Sequence, residues 1–299
     1  MIKKVFCLLL LTSCFVLPQS AGNSGLAFLK LGFGSRNVAM GDIGSVISND
    51  ASATFYNPAV LASNSSSEIM FMHNEWIQDV RTEVFGAKFS LWGIPLAAGI
   101  NVATIGDIEV RTKPGDPISK FNADYFCGNI SSGFHLVNNL DFGFSVKYLY
   151  EDIYIDESQG YAFDFAFKYK TAIDGLTASA VIKNLGSMTN LRNDGTKLPS
   201  DFRIGAAYSY PLSDSKFLIN AGTEFQKYLP TDDVHINVGG ELVYDKTIAL
   251  RAGYQSGYTA KSFTGGIGLV WGGLNFDYAF APYSYDLGTG HSITLGFRF

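Results

Sequence analysis

The sequence is short of several things, and each shortage removes a class of protein. Three of its 299 residues are cysteine. Two of them, Cys7 and Cys14, fall in the N-terminal export signal described below. Cys127 alone remains, so an internal disulfide is excluded and the residue reads as a small packed position in a strand. Charged residues make up 16% of the chain, against roughly 25% in typical soluble domains. The net charge is −5 with no basic run, which gives nucleic acid no electrostatic footprint. Beyond the export signal no apolar run approaches the ~20 residues of a membrane-spanning helix. His73, His135, His235 and His291 are scattered, and there is no Cys pair, HExxH or GxSxG, so neither metal nor hydrolase motifs are met. Gly32-Phe33-Gly34 is a lone Gly-x-Gly without a preceding strand. The expectation is a non-enzyme with no catalytic residue, no cofactor and no metal, although spacing alone does not exclude a site assembled from separate strands.

What the chain has in excess is aromatic residues, 14% with Phe 24 and Tyr 16, and 32 glycines. Aromatics for a lipid-facing surface and small residues for a lumen are the composition of a transmembrane barrel. The N-terminus carries the parts of a signal peptide over residues 1–21: Lys3 and Lys4, an apolar core from Val5 to Leu17, and small residues at Ser20-Ala21 before Gly22. Leu11-Thr12-Ser13-Cys14 also fits a lipoprotein cleavage box, which would make Cys14 a lipidation site. Either route exports the chain.

From Glu68 onward the sequence reads as fourteen strands, several alternating at period two. Phe142, Phe144, Val146, Tyr148 and Tyr150 oppose Gly143, Ser145, Lys147 and Glu151. Tyr161, Phe163, Phe165, Phe167 and Tyr169 oppose Ala162, Asp164, Ala166, Lys168 and Lys170. The last strand sets Ile293, Leu295, Phe297 and Phe299 against Thr294, Gly296 and Arg298. The first and fourth strands alternate poorly. Tight connections near Gly93, Asn138, Asp174, Asp214, Asp245 and Gly272 take turns with longer polar ones, notably Gly106 to Lys120, Asp152 to Gln159, Gly186 to Pro199 and Tyr283 to Gly290. Short periplasmic turns and longer outer loops are the asymmetry of an outer-membrane barrel. Trp92, Tyr169, Tyr208, Tyr210, Tyr244 and Trp271 gather near the tight turns, and Tyr150, Tyr161, Tyr254 and Phe280 toward the long ones, as two aromatic girdles would. The expected fold is all-β: a transmembrane antiparallel β-barrel over residues 68–299, in the outer membrane of a Gram-negative-type bacterium.

Residues 22–67 fit neither signal nor strand. Leu26, Leu29, Leu31, Phe33, Val38, Met40, Ile43 and Val46 follow no period of two, and Gly32, Gly34, Gly41, Gly44 and Ser45 interrupt them. The segment is too apolar for a free tail and too short to fold alone. A fourteen-stranded lumen is wider than its own side chains fill, since eight strands are about the filled limit. The segment is therefore expected inside the barrel as a plug, with a turn at Asn57-Pro58-Ala59 and an apolar face of Phe28, Leu29, Leu31 and Phe33.

The blocks FLKLGFGSRNVAMGD at Phe28 to Asp42 and NDASATFYNPAVLA at Asn49 to Ala62 resemble the N-terminal signature of the PorV/PorQ family of outer-membrane proteins. That family is similar in turn to the FadL group of long-chain fatty acid channels, whose plug also carries an Asn-Pro-Ala step. The resemblance implies handling of a hydrophobic small molecule. It equally implies a type IX secretion role, in which the barrel binds or shuttles secreted protein cargo through its outer loops. Expected partners are outer-membrane lipid, the outer-membrane assembly machinery and one of those two ligands. A last strand ending on Phe297 and Phe299 resembles the signal that the assembly machinery reads. On the inward face Lys147, Asp164, Lys168, Lys183, Arg203, Glu224, Glu241, Arg251, Asp277 and Arg298 share the lumen. Mixed signs suit ion pairs holding strands and plug; a pore for one charge would show rings of one sign. Hairpin register brings Glu241 near Arg251 and Asp277 near Arg298.

Overall fold

The computed structural model describes residues 25–299 except 64, 65, 193, 214 and 232. The signal peptide assigned to 1–21, the Cys14 box and residues 22–24 of the N-terminal segment lie outside the described residues. The strands are β1 (Glu68–Glu75), β2 (Val80–Leu91), β3 (Ile94–Val110), β4 (Ser119–Val137), β5 (Leu140–Ile153), β6 (Asp156–Lys170) and β7 (Leu176–Met188). A small pair follows, β8 (Asn190–Leu191) and β9 (Asp194–Gly195). The rest are β10 (Asp201–Pro211), β11 (Phe217–Tyr228), β12 (Val234–Tyr244), β13 (Ile248–Gln255), β14 (Phe263–Trp271), β15 (Leu274–Tyr283) and β16 (Gly288–Arg298). All but β8 and β9 form one closed antiparallel barrel, with each strand beside its sequence neighbours and β1 paired to β16.

Alternation drives this closure. On β6 the aromatic face from Tyr161 to Tyr169 is exposed while Ala162, Asp164 and Ala166 are buried. The same outward belt runs round the barrel through Ile100, Ile130, Ile204, Ile236, Leu250 and Leu295, all exposed. A continuous apolar belt on a barrel that leaves no sheet edge is a surface for lipid, because every backbone group is bonded within the wall. Trp92 and Trp271 stand 91% and 83% exposed at the tight-turn end, the position of an interfacial girdle. The turn at Trp92-Gly93 has positive φ at both residues, 52° and 79°. That twist matches the two strands it joins, and glycine accepts it without strain.

Two features differ from the sequence reading. Long polar connections are shorter than expected, because strand pairing runs into them. Val110 pairs with Ser119 and Ile153 with Asp156, and β8 and β9 form a hairpin within 186–199. Above the bilayer neither face of a ribbon meets lipid, so the period of two fades although the ladder continues. The poor alternation of the first strand has a different cause. Ile69 and Phe71 face outward, but the inward Met70 and Met72 are also apolar, buried against Phe33, Phe55 and Tyr56. Both faces being apolar, no pattern shows.

The N-terminal segment lies within the barrel. It is a chain of short helical turns: a 3-10 turn at Ala27–Lys30, α1 (Ser35–Ala39), α2 (Gly44–Ile47), α3 (Ala53–Tyr56) and a 3-10 stretch at Pro58–Ser63. None is long enough to be stable alone, so wall contacts hold them. The Ser35 amide donates to Thr294 Oγ1 at 2.8 Å, the Gly41 amide to Thr264 Oγ1 at 3.1 Å, and Thr54 Oγ1 meets Ser131 Oγ at 2.8 Å. At two places where the segment's backbone packs directly on a strand pair of the wall, the wall has glycine. Gly133 and Gly143 pair across β4 and β5 beneath Pro58 and Ala59; a Cβ on Gly143 would sit 2.1 Å from the Ala59 amide nitrogen. Gly239 and Gly253 pair in the same way across β12 and β13, under Met40 and Gly41.

Candidate functional site

Two regions carry unusual chemistry: an ion-pair network between segment and wall, and a cavity toward the outer loops. In the network, Glu241 on β12 receives Arg251 Nε at 2.7 Å from the adjacent strand and Arg36 Nε at 2.9 Å from α1. Arg251 continues to Asp277 at 2.6 Å. A second group centres on Arg203, which reaches Asp201 at 2.6 Å, Glu224 at 2.9 Å and Asp42 of the segment at 3.7 Å. Ser45 of α2 donates its hydroxyl to Glu224, and the Tyr56 hydroxyl donates to Asp42. Burial drives the Tyr56 phenol well above its ordinary range, reinforced by the Asp42 carboxylate. Lys147 meets Asp164 at 2.6 Å, and Lys183 lies over the Tyr56 ring at 5.3 Å.

Of the ten charges expected in the lumen, Lys147, Asp164, Arg203, Glu224, Glu241, Arg251, Asp277 and Arg298 form ion pairs, while Lys183 packs over the Tyr56 ring. One expected pair is corrected. Asp277 bonds Arg251, and Arg298 instead reaches Glu68 at 3.1 Å. Barrel closure explains this: β16 has β1 on its other side, and Glu68 stands directly opposite Arg298. Arg36, Asp42, Glu68 and Asp201 belong to these networks and were not singled out from sequence. Arg36 and Asp42 lie in the aperiodic segment, where spacing assigns no face.

The other expected site residues fall as follows. Asn57 is extended, at φ −149° and ψ 92°, and fully buried. Its amide donates to Ser45 O at 2.7 Å while its side-chain oxygen accepts from the Ala59 amide at 3.0 Å. With Pro58 opening the 3-10 stretch, Asn57 ties two parts of the segment together. Phe28 and Leu29 pack with Cys127, Leu149 and Leu198, whereas Phe33 stacks on Phe55 at 4.6 Å in a separate cluster. The four apolar residues are therefore not one face. Phe297 and Phe299 lie outward with ring centroids 5.8 Å apart, and the Phe299 amide donates to Ser67 O at 3.0 Å.

The cavity, of about 310 Å³, opens at the end of the barrel where the longer connections lie. Its walls are amphipathic. Ala27, Leu31, Trp76 and Ile77 supply apolar surface, and Tyr228, Tyr258 and Tyr283 supply rings. Tyr258 stacks on His235 at 3.7 Å between ring centroids. Lys30 sits over the Tyr228 ring at 4.7 Å and Lys261 over Tyr258 at 4.8 Å. Burial lowers the basicity of Lys30, opposed by Asp233 and Asp201, and burial likewise lowers that of Lys261, opposed by Asp42. Leu31 is the one member of the expected apolar face that lines this space. Among the described residues no group of three or more His, Cys, Asp and Glu is placed to hold a metal ion.

A closed fourteen-stranded antiparallel barrel with an outward apolar belt and a segment within its lumen is an outer-membrane β-barrel of the Gram-negative type. Its fold is similar to that of the Pseudomonas putida toluene transporter TodX, with a TM-score of 0.64 at 13% identity, over 89% of this chain and 98% of that one. The Ralstonia pickettii toluene transporter TbuX gives 0.57 at 12% identity over 90% and 98%. A Pseudomonas aeruginosa FadL homologue gives 0.56 at 12% over 89% and 97%. No protein-family model and no curated protein matches the chain, so the resemblance to PorV/PorQ proteins rests on the quoted residues alone.

Proposed function

We propose that the protein is a FadL-like channel that carries a hydrophobic small molecule across the outer membrane, and that residues 25–63 are its plug. It acts as a transporter and not as an enzyme. The observation that carries the reading is the cavity, which has aromatic and aliphatic walls with a few polar groups, the constitution of a ligand site. Its floor is the plug and its mouth lies among the outer connections. The ion pairs of the lumen support a structural role for the charges: a pore for one charge would show rings of one sign, and here most of the expected lumenal charges pair with the opposite sign. The likeness of fold to toluene transporters agrees with a hydrophobic cargo.

The test is uptake. Cells deprived of their own hydrophobe channels would express the protein and be given radiolabelled toluene. Uptake several-fold above cells with an empty vector is expected, and Leu31→Arg should abolish the increment while leaving the folded barrel in the membrane. Uptake equal to the vector control would overturn the reading.

A further inference from the structure

The cavity continues inward as a crevice of about 30 Å³ between α1 and the wall formed by β1 and β13 to β16. Leu31, Trp76, Lys261 and Tyr283 line both spaces. The crevice is too small for a hydrocarbon body. It has room for a water or two, which need about 10–15 Å³ each on this measure, or for one polar group of a larger molecule.

Its lining is chemically odd. Gln255 is 1% exposed and Ser292 2% exposed. Both side-chain atoms of the Gln255 amide and the Ser292 hydroxyl have no hydrogen-bond partner. Buried polar groups are ordinarily paired, and leaving one unpaired is costly. The neighbouring polar groups are committed elsewhere. Thr264 Oγ1 accepts from the Gly41 amide and donates to Ala39 O, the Asn74 amide donates to Thr82, and Asp42 accepts from Tyr56. What the crevice offers a newcomer is a donor and an acceptor on Gln255 and a hydroxyl on Ser292, beside the oppositely charged Asp42 and Lys261 of the same lining. Asp42 and Lys261 carry opposite charges, so the lining as a whole selects neither an anion nor a cation.

We propose that the crevice is a subsite for a single uncharged oxygen, a hydroxyl or carbonyl, borne by an apolar molecule whose body occupies the outer cavity. This deepens the transport reading and rests on it. Among apolar cargoes an alcohol, phenol or ketone is then preferred over a bare hydrocarbon or a carboxylic acid. A hydrocarbon in the outer cavity brings Gln255 and Ser292 no partner, and sites built to bond a hydroxyl favour the molecule that carries it over the analogue lacking it.

The experiment compares three probes of one shape, 4-ethylphenol, 4-ethyltoluene and 4-ethylbenzoate, for saturable binding to the full protein in nanodiscs, corrected for uptake by protein-free discs. 4-Ethylphenol should bind at least about tenfold more tightly than either of the others. Gln255→Leu and Ser292→Ala, each checked for heat-modifiable migration, should erase most of that preference. Should Gln255→Leu fail to fold, Ser292→Ala and the wild-type preference decide. Equal binding of phenol and hydrocarbon would sink the subsite and leave the transport reading standing. Tightest binding by the benzoate would also sink it, giving the polar group to the lysines. Saturable binding of none of the three would overturn both.

Discussion

Glu241 shows how single residues hold this lumen together. One carboxylate satisfies Arg251 from its own wall and Arg36 from the N-terminal segment. Removing one partner of a buried ion pair leaves the other charge stranded, at a cost of about 3–5 kcal/mol. Glu241→Leu should therefore lower stability by about that amount in urea unfolding of the membrane-inserted protein. Lys120→Met, which breaks a pair with Asp107 at 3.0 Å on the exposed outer ribbon, should leave it close to the wild-type value, because exposed pairs are screened by solvent. Similar effects of the two would mean the buried network carries no special weight. The outward face obeys a different rule. Phe165 is 41% exposed in the belt, and an arginine near mid-membrane on that face costs ~2–4 kcal/mol. Phe165→Arg should reduce the yield of folded barrel far more than Lys168→Gln on the lumenal side, as read by heat-modifiable migration.

At the scale of elements the question is what fixes the N-terminal segment. Its helices are four or five residues long and lean on paired glycines in the wall. Filling one such socket should loosen the segment without opening the barrel. Gly143→Val forces side-chain atoms toward the Ala59 amide, and overpacking of this kind costs about 1–3 kcal/mol. Limited proteolysis should then cut residues 25–63 faster while the strands stay protected. Gly106→Ala, where the nearest atom to an added Cβ is 3.8 Å away, should behave as wild type. Unchanged protease resistance in Gly143→Val would show that the socket is not a constraint. These elements also mark what a sequence reader can see. Strands such as β5, β6 and β16 showed their two faces because one meets lipid and the other meets small or charged residues. β1 was read as a strand without a clear face, because Met70 and Met72 answer an apolar core that only the folded segment creates. The ladder of β3 with β4 was underestimated because its outer part has water on both sides. Pairing of Glu241 with Arg251 followed from one hairpin, whereas Arg298 with Glu68 required knowing which strand closes the barrel. The cavity was the least visible, since Lys30, Tyr228, His235, Tyr258 and Lys261 come from the N-terminal segment and two separate hairpins with no shared spacing.

At the scale of the whole molecule, the proposed plug would seal the barrel and leave an amphipathic recess at its outer end. Fourteen strands enclose more space than their own side chains fill, and residues 25–63 contact the wall on β3 to β7, β10, β11 and β13 to β16. Two networks, at Arg36 and Arg203, and two glycine sockets fix that filling at separate points of the circumference. On the proposed reading a barrel so filled passes ions poorly, while the recess admits an apolar solute to the edge of the plug. The most direct measurement is single-channel conductance in planar bilayers of the intact protein and of a variant lacking Ser24 to Asp50, each shown to be folded by heat-modifiable migration. The account predicts that the intact barrel conducts little and that the deletion conducts in large, stable steps. Equal conductance of the two folded proteins would contradict it, because the segment would then not be what closes the lumen.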